Sequence, residues 1–120
     1  MKYKWLDKHL LSQNKTVKEY QKEWEAYKYM IADKMFAMYG RDKSGKDIIT
    51  LKLNPDYGIE LREHYKGIII PGYYMNKYHW NSIYLESDLT EEFICKLVDQ
   101  SYQLIFNSLT KKKQKEITGE

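Results

Sequence analysis

The stretch from Gly67 to Leu85, GIIIPGYYMNKYHWNSIYL, constrains the fold of this chain more than any other. Ile68, Ile69 and Ile70 are β-branched and stiff at χ1, which suits a pleated strand. Pro71 has no N–H to give to a ladder, so the Pro71-Gly72 pair bends or bulges the first run. Asn76-Lys77 is a short polar link, and a second strand-like run starts at Trp80. Two apolar runs joined this way predict a β-hairpin. Tyr73, Tyr74, Tyr78, His79, Trp80 and Tyr84 give that hairpin an amphipathic aromatic surface, suited either to a core or to a recognition face.

The rest of the chain supplies the elements around it. Residues 3 to 13 predict a first helix, because Trp5, Leu6, His9 and Leu10 are spaced to share one stripe. Residues 15 to 23 are charged, and Val17 and Tyr20, three apart, permit a short helical turn or a loop. From Trp24 the period becomes two: Tyr27, Tyr29 and Ile31 alternate with Lys28 and Met30, as in a half-exposed strand. Asp33-Lys34 reads as a tight turn, Met35 to Tyr39 as a second strand, and Gly40 to Lys46 as a loop. Asp47 to Leu53 reads as a third strand, with Ile49, Leu51 and Leu53 on one face and Ile48, Thr50 and Lys52 on the other. The simplest connections make these three an antiparallel meander.

Asn54-Pro55 opens a helix, with asparagine at the N-cap and proline at the first helical position. Gly67 stops it. A last helix runs from about Thr90 to Leu109. There Phe93, Ile94, Leu97, Val98, Ser101, Leu104 and Ile105 recur at three and four, the strongest periodic signal in the chain. The predicted fold class is α+β: a single antiparallel five-stranded sheet with helices packed on one face, in the order α-β(3)-α-β(2)-α. Residues 1–110 form one domain. Residues 111–120 carry Lys111, Lys112, Lys113 and Lys115 and are expected as a flexible basic tail.

Composition narrows the class. A chain of 120 residues with 42% apolar content suits one core. A net charge of +3 does not by itself imply nucleic acid. Cys95 is the only cysteine, so no intramolecular disulfide is possible, which fits a reducing cytoplasm. No apolar leader and no run of membrane-span length is present. The expectation is a cytoplasmic monomer with no membrane partner.

Chemistry leaves few traces. His9, His64 and His79 are scattered, and no His-Glu-x-x-His or paired-cysteine spacing supports a metal site. No nucleophile elbow or phosphate-binding loop occurs; Ser44-Gly45-Lys46 joins two strands, whereas phosphate binding needs the N–H groups that open a helix. Cys95 sits among apolar neighbours of the last helix and is expected to be inert. The reading is a non-enzyme with no cofactor and no metal.

Several segments together resemble the MmcQ/YjbR-like family. They are Met35-Phe36-Ala37, Leu51-Lys52-Leu53-Asn54-Pro55, Leu61-Arg62-Glu63, Pro71 to Lys77, His79-Trp80 and Ser101-Tyr102. The family hallmark resembles Pro-Gly-Tyr-His-Met-Asn-Lys followed one residue later by His-Trp, and this chain departs from it at Tyr74, where a histidine is common. The resemblance implies the same α-β(3)-α-β(2)-α order, similar to bacterial secretion chaperones and the CyaY-like fold. It also implies DNA binding through two hairpins likened to a double wing.

Three functions compete. A nucleic-acid module would use Arg41, Lys43 and Lys46 on one wing, Lys77, Tyr78 and His79 on the other, and Lys52 on the strand between, with cations on phosphates and aromatics free to stack. Asp42 and Asp47 dilute the first wing. A protein-binding or chaperone-like module would use the open sheet face around Thr50 and Lys52. A small-molecule binder would hold an aromatic compound against Trp80 and the tyrosines. Contiguous positive wings favour the first, a flat apolar patch the second, a closed aromatic pocket the third.

Overall fold

The period-two segments pair into one antiparallel sheet of six strands, one more than expected, in the computed structural model, which describes residues 2–120. The elements are α1 (Lys4–Ser12), β1 (Val17–Gln21), β2 (Ala26–Ile31), β3 (Lys34–Arg41), β4 (Asp47–Lys52), α2 (Pro55–His64), β5 (Ile69–Pro71), β6 (Trp80–Tyr84), α3 (Glu91–Ser108) and α4 (Lys111–Thr118). A single 3-10 turn, Lys22–Trp24, joins β1 to β2. The sheet order is β1-β2-β3-β4-β6-β5. The α+β class and the antiparallel sheet are as expected.

The added strand is β1, in the segment that permitted a helical turn or a loop. It pairs with β2 from Val17↔Met30 to Gln21↔Ala26. Being an edge strand, it leaves Val17 and Tyr20 more than half exposed, so no apolar alternation marks it. The Asp33 turn forms without glycine: Ala32 and Asp33 have φ of 48° and 65°, the primed geometry that matches strand twist.

One face of the sheet carries the core. Tyr29, Ala37, Ile49, Leu51 and Ile83 lie there with Leu6 and Leu10 of α1, Leu61 of α2 and Leu97, Val98 and Tyr102 of α3. Ser101 shares the apolar stripe of α3 for a polar reason. Its hydroxyl donates to the Phe36 carbonyl at 2.6 Å and accepts from the Lys52 amide at 2.9 Å. Those are the backbone groups next to Ala37↔Leu51, where the β3–β4 ladder stops, so the serine satisfies what the ladder leaves open.

Two expectations need correction. The segment expected as a flexible basic tail contains α4, capped by Thr110 and closed by Gly119 at φ 80°. Ile117 is buried in the main core, and Gln114 donates to the Phe106 and Leu109 carbonyls at 3.2 and 3.1 Å. The hairpin is also not tight. β5 is short because Pro71 ends it, and residues 72–79 make a long connection before β6. Among the described residues, no helix is long and apolar enough to cross a membrane.

Candidate functional site

The two loops singled out as wings are tied to each other. The loop between β3 and β4 closes on Asp42. One carboxylate oxygen, Oδ1, accepts from the Ser44 amide at 2.9 Å, the Ser44 hydroxyl at 2.8 Å and the Lys46 amide at 2.9 Å. Gly45 at φ 87° makes the bend possible. The other oxygen, Oδ2, accepts from the Tyr84 hydroxyl at 2.8 Å. The Lys46 amide, with Ser44 and Tyr84, holds the Asp42 carboxyl down to about 2. Asp47 also turns inward: its side chain is 11% exposed, accepts from the Tyr39 hydroxyl at 3.0 Å and pairs with Arg41 at 3.4 Å. Both acids are held within the loop, Asp42 as a carboxylate and Asp47 against Arg41, so they still offset part of its positive charge. Arg41, Lys43 and Lys46 remain exposed.

The connection 72–79 is bonded to the sheet at Gly72 and Tyr73 and to α2 at Lys77. Gly72 donates to the Trp80 carbonyl at 2.8 Å, and an added Cβ there would meet the Trp80 Cβ at 2.6 Å, so the position needs glycine. The Tyr73 amide donates to the Ser82 hydroxyl at 3.0 Å, and the Tyr73 hydroxyl accepts from the Lys43 amide at 3.1 Å. Tyr73 thus crosses the second sheet face from β6 to the tip of the first loop. Beneath it Thr50 and Ser82, fully buried, share a hydrogen bond of 2.7 Å. Asn76 shapes the far end by accepting from the Tyr78 and His79 amides at 2.8 and 3.3 Å. Arg62 of α2 anchors the connection, donating to the Asn81 side chain at 2.5 Å and the Lys77 carbonyl at 3.4 Å.

The sequence-derived candidates separate accordingly. Arg41, Lys43 and Lys46 share the first loop. Lys77 is exposed, with its ammonium 3.4 Å from the Gly72 carbonyl. Tyr78 is 59% exposed and meets the His79 ring edge-on at 5.0 Å. His79 is half-buried in the turn before β6, where its carbonyl accepts from Leu53. Lys52 lies apart, half-buried in β4 opposite Trp80. Trp80 itself is only half-buried and is not part of the core.

The sequence places Tyr73 and Tyr74 in the hairpin's aromatic surface but gives no sign of Trp24 beside them. Trp24 ends the 3-10 turn, and its ring lies parallel to that of Tyr74, 3° apart in plane with centroids 5.7 Å apart. Tyr74 adopts φ 66° and is 52% exposed. Beside the pair lies a cleft of about 280 Å3, which Glu25, Gly40, Arg41 and Asp42 also line. The signals in the sequence are the aromatic run that includes Tyr73 and Tyr74 and the departure from histidine at Tyr74.

Away from this surface, Cys95 is half-exposed, beside Trp5, His9 and Glu91. Burial and the nearby acids push its thiol up, which keeps it protonated. His9 and Asp99 join α1 to α3 at 2.7 Å. No group of three or more metal-ligating side chains exists among the described residues.

Phenols bonded to carboxylates give the protein a pH signature. The hydrogen bond to Asp42 and then burial raise Tyr84 to about 12, and burial followed by the bonds to Asp7 and Asp47 raises Tyr29 and Tyr39. Each binds its proton more tightly folded than unfolded, so its contribution to stability is complete below pH 10. That contribution fades as pH rises from there, and for Tyr84 is gone near 12. A spectrophotometric titration of the twelve tyrosines is therefore expected to split. Tyr29, Tyr39 and Tyr84 ionise late, with loss of structure. A single transition for all of them, with the fold intact, would contradict these bonds.

An α+β domain with a six-stranded antiparallel sheet, helices on its core face and a long β5–β6 connection tied to the β3–β4 loop defines the class. The chain belongs to the YjbR family, whose model matches residues 11–104. It is 32% identical over 93 residues to the uncharacterized protein YjbR of Escherichia coli, covering 78% of this chain and 77% of that one. It is 33% identical over 95 residues to the uncharacterized protein YbdF of Escherichia coli, covering 79% and 75%. A crystal structure of a Deinococcus radiodurans protein with the domain DUF419 superposes with a TM-score of 0.83 at 25% identity, over 94% of this chain and 85% of that one. A Pseudomonas syringae protein shares the fold, with a TM-score of 0.74 at 24% identity, over 87% and 98% of the two chains.

Proposed function

We propose that this chain is a non-catalytic binding module whose ligand is nucleic acid, held mainly through phosphates. The observation that carries the reading is the exposure of Lys43 and Lys46 on a loop bonded to Tyr73, in which Asp47 is paired with Arg41 and Asp42 is held by the loop's own amides. Lys77 and Tyr78 extend the same surface along the second loop. Lysine ammonium groups neutralise phosphates without reading sequence, so binding is weak, nearly indifferent to sequence and strongly salt-dependent. The single cysteine suits a reducing compartment, the cytoplasm, where nucleic acid is at hand.

A protein docked on the sheet face around Thr50 has less support, because the chain's own Tyr73 segment covers Thr50 and Ser82. The test is titration of labelled DNA at two salt concentrations. Lys43→Ala with Lys46→Ala is expected to weaken binding to all sequences and to flatten the slope of log K against log salt by up to about two units, roughly one per phosphate contact. Stability should be unchanged, because both side chains are exposed. No binding at low salt, or a parental slope in the double variant, would overturn the reading.

A further inference from the structure

We infer that Trp24 and Tyr74 form a stacking platform for an unpaired base, so that this surface prefers a single strand to a duplex; the inference rests on the nucleic-acid reading of the two loops. The two rings lie parallel; Tyr74 is 52% exposed and Trp24 is half-buried. Large aromatic faces are ordinarily buried, and here two come from segments far apart in the chain. What holds them is costly. Glu25, just after Trp24, has φ 49°, and Tyr74 has φ 66°, conformations that residues with a Cβ rarely adopt. Neighbouring bonds enforce both: Glu25 donates to the Lys22 carbonyl at 3.1 Å, and Tyr73 is pinned at its amide and its hydroxyl. Strain of this kind persists where the surroundings over-determine it, and it collects at binding sites.

The surroundings suit a strand. The cleft beside the rings is lined by Glu25, Asp42 and Arg41; the Arg41 side chain is 72% exposed, pairs with Asp47 and belongs to the strand end next to the loop carrying Lys43 and Lys46. A base laid on the pair brings a flanking phosphate toward Arg41, the cation that shares the cleft with the rings. Arg41 is planar and serves either a phosphate or a ring face. Every base has a π-face, so the platform tolerates any sequence, in keeping with the few amide side chains on these loops. A duplex cannot use the platform without unstacking, because its base faces are turned inward.

The probes are a short fluorescein-labelled oligothymidine and its duplex with oligoadenosine, followed by anisotropy at low salt. The strand is expected to bind more tightly than the duplex. Trp24→Ala and Tyr74→Ala should each weaken strand binding roughly tenfold, about one lost base stack, and leave duplex binding nearly unchanged. Trp24→Phe and Tyr74→Phe, which keep a ring face, should retain most of the affinity. Tyr74→Ala carries the test should Trp24→Ala melt early, because the Tyr74 side chain is largely in solvent. Parental strand binding in both alanine variants, alongside a loss in the Lys43 and Lys46 variant, overturns the platform and leaves the phosphate reading standing. Equal losses for strand and duplex also overturn it. Absence of binding to either probe overturns both.

Discussion

Leu97→Ala is expected to lower stability by about 2–5 kcal/mol, the range for truncating a fully buried leucine. Leu97 lies in α3, which packs on β3 and β4, and no part of it reaches solvent. Its neighbourhood is poorly placed to collapse into the cavity. Ser101, one turn on, is bonded to both Phe36 and Lys52, so α3 cannot shift toward the sheet without breaking those bonds. The internal control is Leu104→Ala on the same helix. Leu104 is partly exposed, and the change should cost well under half of the Leu97 figure. Both substitutions carry the same small gain in helix propensity, so the difference between them measures packing alone. Urea melts of the two variants decide the matter. Equal losses, or a loss at Leu97 below about 0.5 kcal/mol, would mean that the buried face of α3 is misassigned.

The features legible in the sequence were those whose burial alternates with a fixed period. The α3 stripe and the β4 alternation report a face turned to a core, and Asn54-Pro55 reports a cap: the Asn54 side chain accepts from the Asp56 amide at 3.0 Å. Edge strand β1 escaped because nothing covers it. With Val17 and Tyr20 both largely exposed, hydrophobic pattern carries no information there, and pairing to β2 decides the structure. The hairpin was read too tight for a related reason. Asn76 looked like a turn residue and is one, but it shapes the end of the long connection instead of joining two strands directly.

The candidate site was legible as a set of charges and not as a geometry. Arg41, Lys43 and Lys46 could be placed on a loop from spacing alone. How Asp42 is held could not, because that depends on Tyr84, distant in sequence, and on backbone amides that only the folded loop presents. The same holds for Trp24 and Tyr74. Their pairing follows from the 3-10 turn and the bonds that tie Gly72 and Tyr73 to the sheet, and neither has a periodic signature.

Truncation after Leu109, removing α4, is expected to destabilise the protein by about 1.5–3 kcal/mol, the value of burying one isoleucine side chain. Four lysines hide the signals of this helix in the sequence. Thr110 accepts from the Lys113 amide at 3.1 Å, Gly119 supplies the left-handed cap, and Ile117 supplies the single apolar anchor. Ile117 enters the main core, and Asn14, just beyond α1, donates to its carbonyl at 2.9 Å. So short a helix is marginal alone, so it docks or melts as a unit. Ile117→Ala should therefore cost nearly as much as the truncation, since without the anchor the helix can come away and nothing further is lost. That variant keeps every lysine, which separates core packing from the change in net charge. Thermal melts should show both variants falling by several degrees, by similar amounts, with the cooperative transition retained. Lysine-to-glutamine changes at Lys111 and Lys112, both exposed, should leave the midpoint where it was. A truncated chain that melts with the parent would show that α4 adds nothing to the core, and a truncation much costlier than Ile117→Ala would shift the weight from Ile117 to the polar bonds of Gln114 and Asn14.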